Sequence, residues 1–472
     1  MTTSVQVEPY RFGFLVVPAG SEPADVVPAH WNRHLFDGVV AFSHPDVPAR
    51  KYEGACGSAW ILGDIHLSRG GESVDDLLER VLGGRLEALD GLSGRFVVLA
   101  SHSNGECRLY HDPFGSRSVY YRADGRIGAG SHPALVAAAF GDAIDPDAVA
   151  FRDSPEYRQR GTSYLPGDRS MYRDIVALVP NHYLDLRRCR SVRYWPREGV
   201  GATELAAFFG MCDEYFSHLA GFLRERYRTV LGLTGGVDSR ALIAGLRACG
   251  VDGRFLTWGG GRLPSEERPA VERMIDHLKA PHAFVDVGRG TAWGRDPALR
   301  AATDAATGYS RGPSALTANM SAVVGSGDVF LRGYGGEILR GFYNRHNLEL
   351  PERTPEALAR LYLTRRVPNP SRSFHRFVIR SFELYIERTE FEVDFHDVDA
   401  LDVFYWEQRM GVWGATMLCE MDPVVRSMAG FNSRALFAAA FGLQRKERIG
   451  SELLLGLTRR YDPTLADIGS VS

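Results

Sequence analysis

The chain has no run of apolar residues long enough to span a bilayer. Its start, Met1-Thr-Thr-Ser-Val-Gln-Val-Glu8, has no basic stretch ahead of an apolar one, which a secretory leader requires. Charge of one sign is not in excess either. Its 55 basic and 58 acidic residues leave a formal net charge of -3, so the total points to no nucleic-acid or other polyanionic partner. Cysteine is sparse and scattered: Cys56, Cys107, Cys189, Cys212, Cys249 and Cys419 form no C-x-x-C pair and have no histidine at ligand spacing. They read as reduced, structural thiols of a cytoplasmic protein. Internal repeats and low-complexity tracts are also lacking. What remains is an ordinary globular composition, 24% charged and 44% hydrophobic, over 472 residues, a length that predicts two domains.

Up to about Trp195 the texture is that of β structure. Short apolar runs such as Phe12-Gly-Phe-Leu-Val-Val17 and Arg95-Phe-Val-Val-Leu-Ala100 are divided by Gly, Asp, Asn and Pro turns. Between Ser73 and Leu89 the spacing of Val74, Leu77, Leu78, Val81 and Leu82 predicts a helix, so an α+β layered domain is expected. Pro196-Arg-Glu-Gly-Val-Gly-Ala202 reads as a linker, placing the domains at residues 1–197 and 203–472. The second opens with a long helix, Thr203–Arg226, and then a strand, Thr229–Leu233. A glycine turn, a helix from Ser239 to Cys249 and a second strand, Arg254–Thr257, complete a βαβ unit. The remainder is helical in pattern apart from one strand-like run, Asp328–Leu331.

The segment most informative for chemistry is Leu231-Gly-Leu-Thr-Gly-Gly-Val-Asp-Ser-Arg240. Adjacent glycines let a backbone approach a ligand, and a helix start offers free N–H groups and a positive dipole end, which together hold phosphate oxygens. Neither the lysine of a Walker loop nor a Gly-x-Gly-x-x-Gly order is present. The segment is instead similar to the [Ser/Thr]-Gly-Gly-x-Asp-Ser signature of ATP pyrophosphatases, which cleave ATP between its α and β phosphates. That resemblance implies that Leu233, Thr234, Gly235, Gly236 and Ser239 cradle the pyrophosphate and that Asp238 holds Mg²⁺. A second glycine segment, Leu331-Arg-Gly-Tyr-Gly-Gly-Glu-Ile-Leu-Arg340, follows a strand-like run, and its Glu337 supplies another hard oxygen ligand for the same ion.

Taken with Leu92-Ser-Gly-Arg-Phe96, Tyr110-His-Asp-Pro-Phe-Gly-Ser-Arg-Ser-Val-Tyr-Tyr121 and Tyr172–Tyr183, these loops make nearly the whole chain resemble the asparagine synthetase family. The likeness is to its β-lactam synthetase branch and the related lasso-peptide cyclases. It implies an N-terminal Ntn-hydrolase-like αββα sandwich followed by a helix-rich α/β HUP-like synthetase domain. The family's glutaminase cysteine has no counterpart beside the first strand, and Thr2, the other N-terminal nucleophile to consider, lies some nine residues ahead of it. The first domain is therefore expected to be a scaffold. Tyr334 matches a catalytic tyrosine, Gly335 lies beside it against the nucleotide, and Glu407 in Phe404–Trp413 is expected to be the carboxylate that relays a proton with it. Arg409 is a further phosphate or substrate contact. The family's C-terminal lysine is expected to be missing after Tyr461–Ile468; Arg445, Lys446 and Arg448 are the nearest cations.

By position, Thr257 and Trp258 in Thr257–Arg262 are expected beside the adenine, and Ser265-Glu-Glu-Arg268 resembles a segment of relatives near the phosphates. The latter is equally a helix cap. His277 and His282 lack a third ligand, and Trp406 and Trp413 read as core. The expected function is a glutamine-independent, ATP-dependent ligase of natural-product biosynthesis, requiring Mg²⁺. It joins a small-molecule or peptide carboxylate to an amine and has no nucleic-acid or membrane partner. The alternatives are an ammonia-using synthetase of the asparagine type and an ATP-binding protein that has lost catalysis.

Overall fold

The short apolar runs before Pro196 pair into two antiparallel sheets. In the computed structural model, which describes residues 7–21, 23, 25–36, 38–259, 267–285, 296–311, 315–363 and 366–468, they form twelve strands. These are β1 (Phe14–Pro18), β2 (Asn32–Phe36), β3 (Val39–Ser43), β4 (Ala49–Gly54), β5 (Gly57–Leu67) and β6 (Leu92–His102). After them come β7 (Cys107–His111), β8 (Tyr120–Arg122), β9 (Ala129–Gly130), β10 (Ile175–Ala177), β11 (His182–Asp185) and β12 (Arg190–Arg193). The sheets are ordered β10-β8-β9-β1-β3-β2 and β12-β11-β7-β6-β5-β4. Phe14, Val16, Ala41, Val97, Leu99, Leu109, Tyr121 and Leu184 share the apolar layer between them. Because β6 is covered on both faces, it is buried nearly throughout, and its middle, Phe96 to Ala100, is continuously apolar instead of alternating. The helix Val74–Leu82 lies on β5 and β6, and the helix Pro133–Phe140 on β8, β9 and β10. The former stops short of the predicted Leu89, at a glycine pair, Gly83-Gly84, and a 3₁₀ turn covers Leu86–Gly91.

After the helix Leu205–Arg226 the period changes and a parallel sheet forms. Its strands are β13 (Arg228–Gly232), β14 (Arg254–Trp258), β15 (His282–Val285), β16 (Asp328–Arg332) and β17 (Arg426–Ala429), ordered β15-β14-β13-β16-β17. Succession runs outward from β13 on one side through β14 and β15, then reverses to the other side with β16 and β17. β13 and β16 lie side by side in register, Thr229 opposite Val329 and Leu231 opposite Leu331. In open parallel sheets the crevice beyond the strand ends at such a reversal is where ligands bind. β15 and β17 have four residues each and gave no periodic signal of their own.

The sandwich and the parallel sheet share one continuous apolar core, which runs from Leu15 and Phe96 through Trp195 to Leu231, Trp406 and Leu457. A buried ion pair crosses it: Arg95 donates through Nη1 and Nη2 to Oδ1 and Oδ2 of Asp422 at 2.6 and 2.8 Å. All six cysteines are free thiols. No helix among the described residues is long and apolar enough to cross a membrane.

Candidate active site

Both glycine segments leave the carboxyl ends of neighbouring strands. The first runs from β13 through Leu233–Gly236 into the helix Val237–Ala248, which Gly236 caps. Thr234 Oγ1 and Ser239 Oγ lie 2.8 Å apart, and the Gly236 amide donates to Thr234 Oγ1 at 3.3 Å. Ser239 Oγ also reaches the Thr234 and Gly236 carbonyls, each at 3.2 Å. The loop is thus a small ring of hydroxyls and amides at the positive end of a helix. Arg240 fastens it from below, donating to the Gly235 carbonyl at 2.9 Å and to the carbonyls of Leu465 and Ile468. The Gly235 amide donates to Glu267 Oε1 at 3.0 Å, so a carboxylate oxygen already occupies a position suited to an anion.

The second segment leads from β16 into the one-turn helix Gly336–Leu339 and meets the first directly. Gly335 has φ +94°, and a Cβ there would lie 1.9 Å from the Phe431 carbonyl oxygen. A Cβ on Gly336 would come within 2.6 Å of Asp238 Oδ1. Only glycines let the two loops touch here.

At the contact, Asp238 accepts a two-pronged ion pair from Arg340, Nε to Oδ1 and Nη2 to Oδ2, both 2.8 Å. Glu337 stands beside them with its buried Oε2 lacking a hydrogen-bond partner. Burial first, and then the charge of Asp238, push its carboxyl up from the ordinary 4.5 to about 7. Two hard oxygen donors, one of them orphaned and held proton-rich by burial and by its neighbour's charge, fit a divalent cation such as Mg²⁺. Because Glu337 holds its proton more tightly folded than unfolded, its contribution to stability is full below pH 4.5 and is lost as pH rises to about 7. Across that window the protein is expected to lose about 2–3 kcal/mol relative to Glu337→Gln, read by denaturant unfolding at each pH. Parallel stability curves for the two proteins would refute the assignment.

Tyr334 projects from the second loop between two arginines. Arg332 lies over its ring at 4.2 Å and over Trp258 at 4.9 Å; Trp413, whose ring centre is 5.8 Å from that of Tyr334, carries Arg409 at 3.9 Å. On another side Phe114 from the sandwich stacks on Tyr334 at 6.2 Å. The Tyr334 hydroxyl and the Arg332 Nε and Nη1 atoms are buried without hydrogen-bond partners. Burial pushes the phenol up to about 12, opposed by both arginines and reinforced by the charges of Glu337 and Glu420.

The pairing of Tyr334 with Glu407 does not form. Glu407 is fully buried at the seam with the sandwich, where Arg193 donates to both its oxygens at 2.6 and 2.8 Å. Asn181 donates to Oε1 at 3.0 Å and Tyr385 to Oε2 at 3.4 Å, so the carboxylate's acceptor sites are filled by structural partners. The carboxylates near Tyr334 are Glu337 and Glu420, the latter in an ion pair with Arg311 at 3.2 Å.

Other expected residues have ordinary duties. The Thr257 hydroxyl donates to the Leu233 carbonyl at 2.8 Å and lies 2.9 Å from His282 Nε2, tying β14 to the first loop. Trp258 is a platform for Arg332, and His277 pairs with Asp462 at 2.8 Å, away from His282. Arg448 holds Asp402 at 2.6 Å and the carbonyls of Ile338 and Leu339, bracing the second loop, while Arg445 donates to Asn344. Thr2, Gly260–Arg262, Ser265 and Glu266 lie outside the described residues. Sequence reasoning passed over Arg332 and Arg340, although both stand in the quoted glycine segment. Arg340 follows Glu337 by three residues, the spacing of neighbours on a helix face.

No family model matches the chain, and no curated protein matches it. Among solved structures it is similar in part to an NMN synthetase from Francisella tularensis, at 13% identity over 44% of this chain and 94% of that one. The TM-score is 0.21.

Proposed function

We propose that the protein is an ATP-dependent, glutamine-independent amide synthetase of the asparagine synthetase and β-lactam synthetase type. It adenylates a substrate carboxylate with release of pyrophosphate, and an amine then displaces AMP. One observation carries this reading: two glycine loops meet on Asp238 beyond the strand ends where the order of the parallel sheet reverses. In this reading the Gly235 and Gly236 amides, with the Thr234 and Ser239 hydroxyls, hold the β,γ end of the nucleotide. Asp238 and Glu337 would hold Mg²⁺, which when bound neutralises the departing pyrophosphate; Arg340 and Glu267 must then release Asp238 and Gly235. The partnerless N–H groups of Arg332 suit the charge gathering on the α-phosphate or acyl oxygen, the task of the expected missing lysine. Tyr334 remains protonated at neutral pH, and its partnerless hydroxyl suits donation of a hydrogen bond to the acyl or phosphate oxygen that gains charge as the amine attacks. The sandwich serves as scaffold, pressing Phe114 against Tyr334.

The position of ATP cleavage tests the proposal. With Mg²⁺ and a panel of carboxylic acids and amines, labelled ATP is expected to yield AMP and pyrophosphate. Arg332→Met should lower the rate about a hundredfold, with partial return in Arg332→Lys. ADP and orthophosphate as products would refute it. The occupation of Asp238 by Arg340 and of Gly235 by Glu267 favours a second reading, a nucleotide-binding protein without catalysis. Tight ATP binding with no AMP formed would select that one.

A further inference from the structure

Behind the second loop, lined in part by the helix Phe342–Arg345, lies a cavity of about 800 Å³. Its wall carries Arg160, Arg360, Arg366, Arg409, His346 and His375, and no aspartate or glutamate is among the described residues that line it. Arg160 is buried in the wall and Arg360, Arg366 and His375 are exposed at the mouth, so an anion entering the space meets positive charge on several sides. Arg160 is held by neutral partners: its Nε and Nη1 donate to the carbonyls of Thr162, Tyr164 and Tyr362 and to the Tyr362 hydroxyl. Neither Arg160 nor Arg409 has a carboxylate partner among the described residues.

The rest of the lining is apolar or aromatic, and it orients the charges. Arg160 lies on the Tyr362 ring at 3.4 Å, and Arg409 on Trp413 at 3.9 Å and Tyr164 at 5.1 Å. A guanidinium with its face on a ring turns its N–H groups sideways; with Nε and Nη1 of Arg160 committed, its Nη2 is the group left toward an anion, and Arg409, bonded also to the Tyr164 side chain, adds a second cation beside it. The volume suits a molecule larger than a single amino acid. The cavity also adjoins the candidate active site, because Arg409 lines it and also bears on Tyr334, whose ring lies 5.8 Å from Trp413.

We infer that this cavity binds a small organic acid bearing several carboxylates on an apolar or aromatic body, and that this acid is the molecule adenylated at the two loops. The second half of the inference rests on the proposed synthetase activity; the first does not. Calorimetry with benzene-1,3,5-tricarboxylate, in the absence of ATP, tests the cavity directly, with benzene-1,3,5-tricarboxamide as neutral control and inorganic pyrophosphate as the phosphate alternative. The tricarboxylate is expected to bind and the tricarboxamide not to. Affinity should fall about tenfold or more in the surface double variant Arg360→Gln/His375→Gln, and again in Arg409→Lys, while magnesium-dependent ATP binding by the double variant stays unchanged. Absence of tricarboxylate binding, equal affinity in the variants, or tighter binding of pyrophosphate lost in the same variants would overturn the assignment. Tricarboxylate binding by a protein without affinity for ATP would leave the cavity standing and remove the synthetase reading.

Discussion

Changing Asp238 to asparagine together with Arg340 to methionine is expected to weaken magnesium-dependent ATP binding about a hundredfold while leaving the fold intact. The pairing of substitutions matters. Asp238→Ala alone would strand Arg340, whose side chain is 6% exposed and whose Nη1 already lacks a partner. An uncompensated buried charge destabilises by about 3–5 kcal/mol, and lost binding would then be indistinguishable from lost structure. In the double variant no charge is stranded: burial still raises the Glu337 carboxyl, while the Asp238 charge that raises it and the Arg340 charge that lowers it are removed together. Isothermal titration with and without Mg²⁺, beside a thermal melt, separates the two effects. A double variant that binds ATP as the parent does would show that Asp238 belongs to a structural ion pair only.

Glu407→Ala is expected to act on stability instead of on the chemical step. Its carboxylate and Arg193 are 0% and 4% exposed, and the pair fastens the strand β12 to the helical wall 214 residues later. Truncation leaves Arg193 charged, buried and unpaired, and removes acceptors from Asn181 and Tyr385, at a cost of about 3–5 kcal/mol. Glu407→Gln should cost less, because an amide oxygen still accepts one bond. Urea unfolding gives the cost; AMP formation normalised to the folded fraction should be close to that of the parent. A Glu407→Gln protein of full stability and no activity would restore the catalytic role expected from the sequence.

The contrast between these residues shows where the sequence was legible. The glycine loops are local objects: the residues that bend the chain, cap the helix and offer hydroxyls are neighbours in order, and the strands that carry them fell within a residue or two of expectation. The touching of the two loops depends on β13 pairing with β16, a long-range choice that leaves no periodic trace. Glu407 matched a pattern whose meaning is set by Arg193 and Asn181, far away in sequence. Arg332 acquires its significance from Trp258 on another strand, and the cationic cavity gathers side chains from Arg160 to Arg409. Such features arise only on packing.

The most direct measurement is equilibrium binding of α,β-methylene-ATP, which resists cleavage at the bond in question, to the parent and to Gly336→Val, whose first added carbon falls 2.6 Å from Asp238 Oδ1. Binding by the parent that needs Mg²⁺, and its loss in a variant that still melts cooperatively, is the predicted result. Binding indifferent to Mg²⁺, or undiminished in Gly336→Val, would contradict the account of a nucleotide gripped where the two loops meet.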